Sequence, residues 1–184
     1  MSTIPRYTWA MPDTPRWLEA DQQAAWRAYL DGTRMLFAEL DRQLETDAGI
    51  SLTDYELLVR LSEAPGHRMR MRDLAQATLA TRSGVTRAVT RAQRAGWVRR
   101  VECKDDRRGM NAELTQDGLA KLAASAPGHV KAVRRNLIDL LDDVQLEQLR
   151  RIGQAVQAQV GGAGPVSGAG HLGGPTSAAT DVLD

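Results

Sequence analysis

Arg82, Arg87, Arg91, Arg94, Arg99 and Arg100 crowd one stretch, "TRSGVTRAVTRAQRAGWVRR", that contains no acid. A guanidinium is planar, permanently charged and able to donate two parallel hydrogen bonds, which suits it to phosphate and to the edge of guanine. Wound as an α-helix, the stretch places Val85, Ala88, Val89, Ala92 and Ala95 in one arc of roughly 120°. Ser83, Thr86, Arg87, Thr90, Arg91 and Arg94 fall opposite. Thr81 suits the N-cap, because its hydroxyl accepts from a free N–H of the first turn. Gly96 suits the position past the C-terminus, where a left-handed residue is needed. A solvated helix face normally mixes Glu with Lys or Arg. Nothing negative within the stretch offsets these arginines, so the pattern calls for a polyanion.

The charge is local. Residues 68–108 hold 12 basic and 4 acidic side chains, a balance of +8 in a chain of 184 residues whose net charge is +1. A basic segment within an otherwise acidic protein points to a confined polyanion site. Hydrophobic content of 42% permits a core, while the apolar runs are too short and too charged for a membrane span. The N-terminus has no apolar signal, and the single cysteine, Cys103, excludes an internal disulfide. Both features suit a cytoplasmic protein.

Elements must carry this face. Ala20 to Asp47 reads as a long helix, with Trp26, Tyr29, Leu30, Thr33, Phe37, Leu40 and Leu44 at helical spacing. A second helix opens at "SLTDYELLVRL" with an expected capping box from Thr53 to Glu56 and stops at Pro65-Gly66. "HRMRM" allows one edge strand, and "RDLAQATLA" is a short third helix before the arginine helix. Two short helices joined by a brief turn, the second rich in Arg, Ser and Thr, form a helix-turn-helix layout. Val98 to Cys103 and Met110 to Leu114 read as two strands around a polar turn, "KDDRRG". Thr115 caps a fifth helix, expected to bend near Pro127 and to run to Leu141. "DDVQLEQLRRIGQAVQAQV" is a sixth.

These motifs, in this order, resemble the MarR family of winged-helix transcription regulators. "LTDYELLVRLSEAPG" is similar to the family's second helix. "RMRMRDLA" and "TRSGVTRAVTRAQRAGWV" are similar to its strand, third helix and recognition helix, and "DDRRGMNAELTQDG" to its wing and fifth helix. The resemblance covers roughly residues 17–160. It implies a mainly α, α+β fold: a winged helix-turn-helix flanked by long dimerisation helices. The expected division is an irregular arm (1–16), an N-terminal dimerisation helix (17–50), the DNA-binding domain (51–115), C-terminal dimerisation helices (116–160) and a disordered Gly/Ala-rich tail (161–184). Two positions depart from the family pattern: Arg72 where a Ser or Thr cap is common, and Ala92 where Leu is common.

The expected function is a dimeric, sequence-specific regulator of double-stranded DNA, acting as a repressor on a palindromic operator. Ser83, Thr86 and Arg87, near the start of the recognition helix, are the candidates for base edges, and Arg82 is a further DNA-binding candidate. Arg91 and Arg94 are expected on phosphate, and Arg107 and Arg108 at the wing tip on phosphate or in the minor groove. In the family pattern Asp106 helps hold the wing, although an Asp in a turn needs no such role. The resemblance also implies a small aromatic or amphipathic effector, for which Trp26, Tyr29, Phe37 and Tyr55 are the candidates, plain core being the alternative for each. Cys103 reads as a small core residue. His67, His129 and His171 have no metal-ligand spacing, and no catalytic constellation or cofactor loop is present, so neither an enzyme nor a cofactor is expected. The competing reading is a winged-helix protein–protein or dimerisation module with no DNA role.

Overall fold

The structure, a computed structural model, describes residues 16–78, 81–103 and 106–160, with Arg82 and residues 106–108 as backbone only. The expected tail and, but for Arg16, the expected arm lie outside the described residues. Six helices and three strands follow in the order α1 (Ala20–Ala48), α2 (Leu52–Glu63), β1 (Arg68–Arg70), α3 (Met71–Ala77), α4 (Arg82–Arg94), β2 (Val98–Cys103), β3 (Asp106–Leu114), α5 (Gln116–Asn136) and α6 (Asp143–Val160). No helix of the described residues is long and apolar enough to cross a membrane.

The chain divides into two units between Met35 and Leu36, inside α1. In the first, Trp17, Trp26, Tyr29 and Met35 are all exposed, and Trp26 lies 6.3 Å from Tyr29 between ring centroids. Trp17 is 81% exposed.

The second unit carries the core. Leu44 and Ile50 meet Leu57, Leu58 and Leu61 of α2, Leu74 of α3, Val85, Ala88, Val89 and Ala92 of α4, and Val98, Ala112 and Leu114 of the sheet. The sheet is antiparallel in the order β1-β3-β2, with Met69 opposite Ala112 and Arg100 opposite Ala112 on the other side. Period-2 alternation explains the burial of Val98, Ala112 and Leu114 on one face.

Several boundaries differ from the expectation. The N-cap of α2 is Ser51, not Thr53: the Ser51 hydroxyl accepts from the Asp54 N–H at 3.2 Å. The capping motif is therefore S-L-T-D, two residues earlier than T-D-Y-E, and Asp41 Oδ1 takes the Leu52 N–H at 2.7 Å. Helix α3 starts at Met71 with Arg70 as its N-cap and no side-chain cap, so Arg72, expected at the cap position, lies inside the helix. Helix α5 stays helical through Pro127 and ends at Asn136, short of Leu141, before a 3-10 turn at Ile138–Leu140. In the wing, β3 begins at Asp106, paired with Cys103 across an irregular register. Asp106 to Gly109, expected in the turn, thus belong by backbone to the strand.

Candidate nucleic-acid interface

Helix α4 forms as its sequence dictates. The Thr81 hydroxyl accepts from the Gly84 N–H at 3.0 Å, and Gly96, at φ +79°, takes the chain off the helix end. Val85, Ala88, Val89 and Ala92 are buried, so the inner arc is as expected apart from Ala95, which is exposed at the C-cap. Ala92, in place of the family's common Leu, is fully enclosed.

The outer arc presents Ser83, Thr86, Arg87 and Arg94 to solvent. Arg87 and Arg94 have no acidic partner among the described residues. Arg82 lies on the first helical turn, with its side chain outside the described residues, as are those of Asp106, Arg107 and Arg108 on β3. The backbone places those three at the start of β3, with Asp106 opposite Cys103 at the end of β2.

Arg91 has an acidic partner. Its Nε and Nη2 donate to Asp54 Oδ2 and Oδ1 of α2 at 3.0 and 2.6 Å. The Asp54 hydrogen bond holds the Arg91 guanidinium above its ordinary pKa, against a smaller opposing effect of burial. The arginines of α4 are therefore not all unopposed: Arg91, still half exposed, is paired with Asp54. One residue away, Arg100 of β2 donates through Nη2 to the Thr90 hydroxyl at 2.9 Å. Sequence reasoning missed Asp54. Its signal is an acid directly beside Tyr55 and at helical spacing from Leu57 and Leu58, on the stripe that faces the core.

The candidate effector residues do not share one environment. Trp26, Tyr29 and Phe37 are each about half exposed, not the core aromatics that helical spacing favours. Tyr55 is buried, its ring 4.5 Å from that of His129. Burial pushes the Tyr55 hydroxyl up and the His129 imidazole down from their usual ranges. Buried Gln43 Oε1, His129 Nδ1 and Asn136 Nδ2 have no hydrogen-bond partner among the described residues. Cys103 is a buried packing residue whose thiol donates to Asn111 Oδ1 at 3.1 Å. No cluster of His, Cys, Asp or Glu among the described residues could hold a metal ion.

Residues 48–109 match the model of the MarR family. A structure of Sco3205 from Streptomyces coelicolor, a MarR family transcriptional regulator in complex with DNA, is 44% identical with a TM-score of 0.77, over 80% of this chain and 92% of that one. AbsC, a MarR family transcriptional regulator from the same organism, is 42% identical with a TM-score of 0.74, over 79% of this chain and 97% of that one. The HTH-type transcriptional repressor YetL of Bacillus subtilis (strain 168) is 31% identical over 104 residues, 55% of this chain and 62% of that protein.

Proposed function

The chain belongs to the MarR family of transcriptional regulators, and from that premise we propose that it binds double-stranded DNA as a homodimer and represses transcription from a palindromic operator. The observation that carries this reading is the outer face of α4. Ser83, Thr86, Arg87 and Arg94 are exposed on a helix whose opposite face is locked into the core, with no acid beside the two arginines among the described residues. Such a helix fits the major groove, its N-terminal residues toward base edges. Ser83, Thr86 and Arg87, with Arg82, are the assigned base readers, and Arg94 a phosphate ligand. Arg107 and Arg108 at the hairpin end serve the backbone or the minor groove, with Asp106 supporting them. The 44% identical regulator, solved in complex with DNA, supports DNA as the partner.

The homodimer is supported by apolar surface that a single chain leaves uncovered: Phe37 of α1, and Val144, Ile152, Val156 and Val160 of α6. An aromatic or amphipathic effector is the expected release signal, with Trp26, Tyr29, Phe37 and Tyr55 as its candidate contacts, and the site of action is cytoplasmic. The deciding experiment measures binding to the DNA upstream of the protein's own gene at several salt concentrations. Tight, salt-sensitive binding that a random duplex does not match establishes the reading. Equal, weak binding to both favours the protein–protein module instead.

A further inference from the structure

Helix α4 is seated on the core by Val85, Ala88, Val89 and Ala92. These are small side chains, and a smooth face of alanine and valine resists separation well but rotation poorly, because few knobs engage. Polar struts must supply the missing constraint. Two guanidiniums do so at adjacent residues: Arg91 reaches Asp54 of α2, and Arg100 of β2 reaches Thr90. Neighbouring helix residues point about 100° apart, so the two struts brace α4 from different sides.

The first strut is the stronger. Asp54 is 6% exposed and both its oxygens are occupied by Arg91, a paired geometry that fixes angle as well as distance. It occupies the first turn of α2, where the helix dipole favours a carboxylate. That turn is anchored in its own right: Ser51 caps the Asp54 N–H, and Asp41 of α1 takes the Leu52 N–H. We propose that Asp54 is a positioning residue for DNA reading: it sets the rotation of α4 through Arg91 and so decides how Ser83, Thr86 and Arg87 meet the base edges. Arg91 is then an internal strut and not a phosphate ligand. This rests on the operator-binding reading above.

The test is a cycle of Asp54→Asn, Arg91→Gln and the double variant in the full-length protein. Each is measured against a duplex enriched by the wild-type protein from a randomised pool and against random duplex, over a salt series, with thermal melts to verify folding. Positioning predicts that each single variant loses about tenfold in the ratio of selected to random affinity, mid-range for contacting pairs, and that the double variant is no worse than the poorer single. It also predicts that Arg91→Gln leaves the salt slope unchanged, whereas losing one phosphate contact per protomer lowers that slope by about 1.8 per dimer. A lowered slope with an unchanged ratio, or additive losses in the double variant, overturns the proposal. Arg91 is half exposed, so its variant alone decides the matter if Asp54→Asn does not fold. A wild-type protein indifferent to salt and sequence would overturn the DNA reading itself, and that control separates the two failures.

Discussion

Replacing Gly118 with alanine sets two physical effects against each other. Gly118 lies in the first turn of α5, where exchanging Gly for Ala ordinarily gains about 1 kcal/mol of helix stability. The structure reverses the sign. A Cβ at this position would overlap the carbonyl oxygen of Trp97, and would stand 2.6 Å from Leu114 Cδ1 and 3.0 Å from the Trp97 carbonyl carbon. Backbone cannot swing aside as a flexible side chain does. The same carbonyl accepts the Thr115 N–H at 3.0 Å, and the Thr115 hydroxyl donates to Gly96 O at 2.7 Å. The glycine therefore lets α5 start directly against the turn that ends α4. Overpacking costs about 1–3 kcal/mol, and a clash with backbone belongs at the upper end. Setting about 3 against the helix gain of about 1 leaves a loss of about 2 kcal/mol, or about 4–8 °C in Tm for a chain of this size. Gly32 of α1 is the control: nothing lies within 4 Å of its Cβ, and it sits roughly 120° round the helix from the apolar stripe. Gly32→Ala should raise Tm by about 2–4 °C. Both are read by calorimetry at one fixed protein concentration, because a dimer's Tm depends on concentration. A Gly118→Ala protein as stable as the wild type would refute the close approach of α5 to Trp97.

Three further outcomes follow from the same geometry. DNA affinity should fall by roughly 10³–10⁵ between 50 and 200 mM salt in a filter-binding series, and a flat response excludes a phosphate-dominated interface. Arg87→Ala should cost about 1–3 kcal/mol at one base position in each half-site, measured by substituting bases one at a time, while Arg108→Ala weakens binding to all sequences alike; equal losses for both contradict the split between base reader and backbone clamp. His129 is buried, its Nδ1 has no hydrogen-bond partner among the described residues, and burial holds its pKa below the ordinary value of 6.5. The unfolded chain thus takes up the proton first, so this contribution to stability is complete above about pH 6.5 and is lost as the pH falls from there toward the folded-state value. Urea midpoints of the wild type and His129→Gln, compared at pH 7.5 and 5.5, should show a smaller acid loss in the variant, and an identical loss would count against an uncharged buried imidazole.

The helices and the exposed outer face of α4 were legible because they depend on local chemistry. Thr81, Gly96 and the Val85-Ala88-Val89-Ala92 spacing determine α4 without reference to the rest of the chain, and the structure follows them closely. Longer-range effects were not legible. Asp54 and Arg91 are 37 positions apart, and no window of sequence joins them. The choice of Ser51 over Thr53 as the cap of α2 turned on a contact from Asp41 on another helix. The wing strand extends to Asp106 because pairing with β2 overrides the turn preference of "KDDRRG".

The aromatic residues of α1 illustrate the remaining limit. Helical spacing makes Trp26, Tyr29 and Phe37 look like core, yet each is about half exposed in the single chain. Spacing reports that a face is apolar, and is silent on whether the surface that covers it comes from the same molecule. Helix α6 repeats the lesson with Val144, Ile152, Val156 and Val160, none of which is buried. A monomer would hold two such helices in water with their apolar stripes bare, whereas pairing with a second copy removes that cost from both at once. On this argument folding would be coupled to dimerisation in the proposed homodimer.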